Sequence, residues 1–201
     1  MKKVLFLIGI SMLLISCEDM LETKVIDLKA VLRVTPDEPF VTDDNDGVFA
    51  EDKEIGASDV TEDLEDLDLT TVTEVNVSSI NININENSGN EAQYVVISGF
   101  YEEENTPRTP VFSDYSVTLS EFGGTALTPV TGYQLTGINL LSDKLFAIVQ
   151  NNDFSSFTLT IEGFSTDANG NPTGDAILLN IDAEIEAEAI FTEELDVPDF
   201  P

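Results

Sequence analysis

The chain has 201 residues, of which 39 are acidic and 8 basic, with no histidine, no tryptophan, one cysteine and a formal charge of −31. A field of that sign repels phosphate, which excludes nucleic acid and anionic headgroups as partners. Without histidine there is no Ser-His-Asp or Cys-His catalysis and no imidazole metal site, and no glycine-rich phosphate loop follows any strand.

Lys2 and Lys3 open the chain and an uncharged run from Val4 to Ile15 follows, the order of an export signal. As a helix those twelve residues rise roughly 18 Å, short of the roughly 30 Å hydrocarbon core, so no permanent transmembrane helix is expected here. Leu14-Ile15-Ser16-Cys17 then places an apolar branched residue three before the cysteine and a small one directly before it. This segment resembles the lipobox of bacterial lipoproteins. The resemblance implies a signal peptide over residues 1–16, cleavage before Cys17, and membrane anchoring through palmitate and related acyl chains on Cys17. Two or more chains, at about 0.8 kcal/mol per buried methylene, anchor stably where one does not. The alternative is a buried free thiol behind an ordinary signal peptide, an uncommon state in an oxidising compartment. Glu18 and Asp19 follow directly and resemble the surface-export signal of Bacteroidota lipoproteins, which implies the cell-surface side of a Gram-negative outer membrane. After cleavage 6 basic residues would face the same 39 acidic ones, a formal −33.

Residues 17–23 read as the lipidated cysteine and a short tether, about 20 Å at full stretch. Beyond it, 24–191 reads as a single domain and 192–201 as an acidic tail. Ile26, Leu28, Ala30, Leu32 and Val34 alternate as one face of a strand. Residues 35–68, with Pro36, Pro39 and fourteen acidic residues, read as loops around a short strand at 48–55. Ser58 or Asp59 is placed to cap one or two helical turns there. Leu69 to Val77 lead into Ile80-Asn81-Ile82-Asn83-Ile84-Asn85, a strand with one wet face. Strands at 93–101 and 111–122 follow, and a meander is the simplest connection. Leu140, Leu141, Leu145, Phe146, Ile148 and Val149 recur at helical spacing, which predicts an amphipathic helix over 138–150. Strands at 154–164 and 176–191 complete a mostly β chain of about eight strands with one or two short helices. The expected fold is an antiparallel β-sandwich, or a jelly-roll-like variant. The order of the last third is similar to small surface lipoproteins of Bacteroidota, which imply no activity.

Carboxylate chemistry is what remains. A carboxylate-dependent glycoside hydrolase needs a cleft with aromatic platforms, for which this small, tryptophan-free chain is poorly equipped, so no enzyme is expected. Calcium takes six to eight oxygen ligands, and Asp167, Asn169, Asn171 and Asp175 stand at relative positions 1, 3, 5 and 9 of a loop. Pro172 and Leu178 occupy places where a calcium loop wants glycine and a bidentate acid, so a plain Asn-Gly hairpin is the competing reading. Asp43-Asp44-Asn45-Asp46-Gly47 is a second acidic loop, with Thr42 and Lys53 at its end positions. Asp182, Glu184, Glu186 and Glu188 form a row at about 6.7 Å spacing, either a wet face on an edge strand or a docking strip for a basic protein partner. Tyr94, Phe100, Tyr101, Phe112, Tyr115 and Tyr133 are candidates for core packing or a carbohydrate patch. Phe100 and Tyr101, being adjacent in a strand, must face opposite ways. The expected role is a non-catalytic binding or accessory module, with a structural subunit of an outer-membrane assembly as the alternative.

Overall fold

The alternation of isoleucine and asparagine that dominates the middle of the chain decides the architecture, because a strand with one apolar face must bury that face against a second layer. A computed structural model describes residues 24–61, 69–104, 106–121, 125–127, 134–150, 153 and 155–195. The lipobox, the tether, Tyr133 and residues 196–201 lie outside the described residues. In chain order the elements are β1 (Lys24–Val34), β2 (Phe40–Val41), β3 (Val48–Ile55), α1 (Ala57–Thr61), β4 (Val72–Glu86), β5 (Tyr94–Glu102), β6 (Thr109–Thr118), β7 (Thr125–Leu127), α2 (Leu135–Val149), β8 (Phe157–Thr166) and β9 (Leu179–Leu195).

The chain is an antiparallel β-sandwich. One sheet has the order β1-β9-β4-β7, with β2 also paired to β9, and the other has the order β3-β8-β5-β6. The expected meander is replaced by crossovers. Among the described residues, β5 and β6 are consecutive strands paired to each other, while most connections pass from one sheet to the other. The long β9 pairs with β1 along Val34↔Ile185 to Lys24↔Leu195 and with β4 along Glu86↔Leu179 to Val72↔Phe191. It therefore runs four residues beyond the Phe191 boundary expected from its alternation, into the acidic tail. It is also an interior strand of its sheet, which corrects the reading of its acidic row as an edge.

Between the sheets lie Leu32, Val34, Phe40, Ile80, Ile82 and Ile185 from one layer and Ile97, Phe112, Phe157, Leu159 and Ile161 from the other, all at most 1% exposed. Ile80, Ile82 and Ile84 point inward and Asn81, Asn83 and Asn85 outward, as their alternation requires. The strand β7 reaches only Ile80 to Ile82 of β4, leaving the first half of β4 without a strand neighbour on that side among the described residues. α2 fills the gap: it packs on β4 and β6, and Ser142 Oγ accepts a hydrogen bond from the Val77 N–H at 3.0 Å, next to the bulge between Val77 and Ser79.

The helix begins three residues before the expected start. Gln134 offers no side-chain cap; its N–H donates to the Val111 carbonyl of β6 at 2.9 Å, and Gly137 sits directly against Pro110. Docking onto β6, not a local capping signal, sets that end. Leu140, expected on the apolar stripe, is 38% exposed, and Lys144 is buried in the stripe instead. In α1 the expected cap is also corrected: Asp59 lies inside the helix and its carboxylate accepts from the Gly56 N–H at 2.8 Å, the reach-back half of a capping box.

Candidate functional site

Lys144 is the most unusual residue in the molecule. One of the eight basic residues of the chain, it projects inward from α2 with its side chain 2% exposed. Its ammonium donates to Asp153 Oδ2 and to Ser155 Oγ, both at 2.6 Å, and lies 3.5 Å from Glu103 Oε1. Tyr101 donates its hydroxyl to the same Glu103 oxygen, and its ring meets Phe157 at 5.6 Å. Asp153 Oδ1 accepts from both the N–H and the hydroxyl of Ser155, at 2.8 and 2.7 Å. The hydrogen bonds from Lys144, then those from Ser155, hold the Asp153 carboxyl far below its ordinary range; burial, then Glu103, pushes the Tyr101 hydroxyl far above its own.

A serine within 2.6 Å of a buried lysine invites a Ser-Lys hydrolase reading. The electrostatics oppose it. A general base must accept the serine proton, whereas here Lys144 Nζ donates to Ser155 Oγ, lies 3.5 Å from Glu103 Oε1, and the Ser155 proton is already directed at Asp153. The group acts as a clamp that ties the second half of α2 to Asp153, to Ser155 and to Glu103 just after β5. Sequence reasoning missed it, although one signal existed: Lys144 stands three residues after Leu141 and four before Ile148, on the apolar stripe.

The two acidic loops meet at one corner of the sandwich. Asp44 and Ile177 exchange backbone hydrogen bonds, Thr42 Oγ1 donates to the Ile177 carbonyl and accepts from the Leu179 N–H, and the Ser165 N–H donates to the Gly47 carbonyl. Gly47, at φ +74°, approaches Gly174 so closely that a side chain there would collide. In the second loop the Asp167 carboxylate accepts from the Asn169 N–H at 2.8 Å, the Asn171 N–H at 2.9 Å and the Asn171 side-chain amide at 3.0 Å. Chiefly through Asn171, these bonds lower the Asp167 carboxyl to about 2. Asp167, Asn169 and Asn171 thus join in one self-closed turn, with Gly170 at φ +81°, and Asp175 follows outside it. Among the described residues no group of three or more acids is placed to hold a metal ion.

Burial and, after it, like charge both load the first loop. Burial, then Asp46 and Asp43, raises the Asp44 carboxyl; burial, then Asp44, raises that of Glu51. A raised carboxyl binds its proton more tightly folded than unfolded, so its stabilising contribution is present below the unfolded value and is lost as pH rises through the folded one. Asp44→Asn is therefore expected to raise the urea midpoint at pH 7 and to leave it unchanged near pH 3. Midpoints of variant and parent that coincide at pH 7 as they do near pH 3 would show that folding does not raise this carboxyl.

The acidic row on β9 is matched within its own sheet. Lys29 pairs with Glu188, Arg33 Nε lies 3.7 Å from Glu186, Asn81 donates to Glu184 at 2.9 Å and Asn83 to Asp182 at 3.5 Å. Two of its four carboxylates thus face a cation and the other two an amide. Among the aromatic candidates, Tyr101 and Phe112 are buried, and Tyr115 packs on the core. Phe100, on the opposite face from Tyr101, lies under the Arg108 guanidinium at 3.9 Å, and Arg108 bonds Glu162 at 2.6 Å. Tyr101, Phe112 and Tyr115 are thus taken up by the core, and Phe100 lies on the other face of β5.

A different surface is open. Between the first half of β4 and the flank of α2 runs a groove of about 400 Å³, lined among others by Glu74, Asn76, Asn139, Ser142, Asp143 and Phe146. The helical members fall at i, i+3, i+4 and i+7, one stripe of three polar residues and Phe146 that faces the strand.

No protein-family model matches this chain. No curated protein matches it either. Among solved structures, a chain from Desmodium yellow mottle tymovirus is similar at 11% identity and a TM-score of 0.30, with 100% of each chain covered.

Proposed function

We propose that the chain is a lipid-anchored lipoprotein, acylated on Cys17 and displayed at the outer membrane of a Gram-negative bacterium, whose β-sandwich serves as a non-catalytic binding or accessory module. The observation that carries the anchor is the run Lys2-Lys3, Val4 to Ile15, then Leu14-Ile15-Ser16-Cys17, with Glu18 and Asp19 favouring the outward face. The non-catalytic reading is supported by the Lys144 cluster, in which the Lys144 amine and the Ser155 hydroxyl both already donate to partners within the cluster. The alternative of a subunit docked through its acidic row is weakened by Lys29 and Arg33, which already neutralise Glu188 and Glu186.

Labelled palmitate should enter the full chain in a Gram-negative host and be lost in Cys17→Ser, and protease added to whole cells should remove the protein. Labelling that survives the substitution removes the anchor, and protection from protease removes surface display. Calcium steadying of the acidic corner belongs to the same reading. There, millimolar calcium should raise the thermal midpoint by several degrees over chelator while magnesium does not. Equal midpoints in all three would return the 43–47 and 167–175 loops to plain turns.

A further inference from the structure

The Lys144 cluster contains more than a clamp requires. A lysine side chain only 2% exposed meets a carboxylate at 2.6 Å, and the other parts of an acyl-transfer site surround the pair. Asp153 Oδ2 faces Lys144 Nζ, while Oδ1 accepts from both the N–H and the hydroxyl of Ser155, at 2.8 and 2.7 Å. Two donors converging on one carboxyl oxygen are what an oxyanion hole supplies when the carbon is attacked. Glu103 Oε1 lies 3.5 Å from Nζ, and the Tyr101 hydroxyl donates to that same oxygen. The backbone is fixed too: Lys144 sits in α2, and the Asp153 N–H donates to the Ala147 carbonyl of the same helix at 3.2 Å. Groups held in this way react without the entropy cost of an encounter.

We infer that Lys144 and Asp153 are the two halves of an intramolecular isopeptide bond, formed between Nζ and the Asp153 Cγ with Glu103 as proton carrier and Ser155 as oxyanion donor. The step is a condensation. Glu103 takes a proton from Nζ, and the freed lone pair attacks Cγ. Negative charge gathers on Oδ1, against the two Ser155 donors. Oδ2 receives the two protons that Nζ sheds and leaves as water, and an amide remains. Ammonium plus carboxylate becomes amide plus water, so no oxidant, reductant or co-reactant is needed.

In water such a condensation is unfavourable, but here it replaces two charges taken partly out of solvent by one neutral amide. The Asp153 side chain is 31% exposed, which gives the released water a way out. The bond forms once per chain and turns nothing over, in keeping with a non-catalytic module. It gives an exported chain with a single cysteine the covalent tie that a disulfide would otherwise provide.

Trypsin reads the bond directly, since an acylated lysine is not cut and no lysine or arginine follows Lys144. The full chain, digested after denaturation, is expected to yield one peptide, Thr109–Pro201, lighter than its sequence by one water, with Lys144 and Asp153 joined on fragmentation. Asp153→Ala should yield Thr109–Lys144 and Leu145–Pro201 at full mass. Glu103→Gln, which keeps an acceptor for Tyr101, should leave Lys144 open to cleavage in most molecules. Complete cleavage after Lys144 in the parent overturns the inference. So does a water lost from either peptide while Lys144 is still cut, the mark of a succinimide. A linked peptide that persists in Asp153→Ala overturns the pairing, and linkage as complete in Glu103→Gln as in the parent overturns the role given to Glu103.

Discussion

Lys144→Met is expected to lower the unfolding free energy by about 3 kcal/mol, and to lower the thermal midpoint by roughly 6–12 °C for a chain of this size. Removing one partner of a buried ionic group leaves the others without compensation, and here the ammonium serves Asp153, Ser155 and Glu103 at once. The loss falls at the lower end of the range for such breaks because the Asp153 and Glu103 side chains are 31% and 26% exposed and can recruit water. Methionine keeps most of the lysine stem's volume, which separates the charge from packing. Urea unfolding measures it. Adding Asp153→Asn to Lys144→Met should then cost much less than Asp153→Asn alone, since the two act on one network. Additive losses, or a loss below about 1 kcal/mol for Lys144→Met, would mean that the cluster is not a clamp.

Gly137→Ala opposes two effects of known sign. Alanine favours an α-helix over glycine by about 1 kcal/mol. A methyl at this position, however, would lie 2.7 Å from the Pro110 carbonyl carbon and closer still to its oxygen, so α2 would have to withdraw from β6. Withdrawal strains the packing of Ile138 and Leu141 and lifts the Gln134 N–H away from Val111. Overpacking of a tight site costs about 1–3 kcal/mol and, with this partial loss of contact, outweighs the helical gain. A net destabilisation of about 2 kcal/mol is expected by urea unfolding. Stabilisation would show that the first turn of α2 does not rest on β6.

These two residues also mark where the sequence is legible and where it is not. The strand over 24–34 and the inward face of Ile80, Ile82 and Ile84 follow from period-two alternation, a local property that survives folding. What pairs with what is not local. β9 joins β1 and β4, far apart in sequence, and nothing in its own alternation distinguishes an interior from an edge strand. β7, three residues long, and β2, two residues long, are too brief to carry a period and exist through their pairing with β4 and β9. The start of α2 escaped because its terminus is held by a tertiary contact, and Lys144 escaped because a charge on an apolar stripe is acceptable only when remote residues meet it. The acidic loops were visible as composition, but their meeting at Gly47 and Gly174 is set by the sheet frame. So is the groove, whose two walls lie more than sixty residues apart in the chain.

The central claim is the anchor, and the most direct measurement is the mass of the N-terminal peptide of the protein extracted from membranes after trypsin digestion. Cleavage after Lys24 isolates Cys17–Lys24, and the account predicts that peptide with its N-terminus at Cys17 and the mass of several acyl chains added. A peptide that retains residues before Cys17, or one carrying Cys17 as a free thiol, would contradict it.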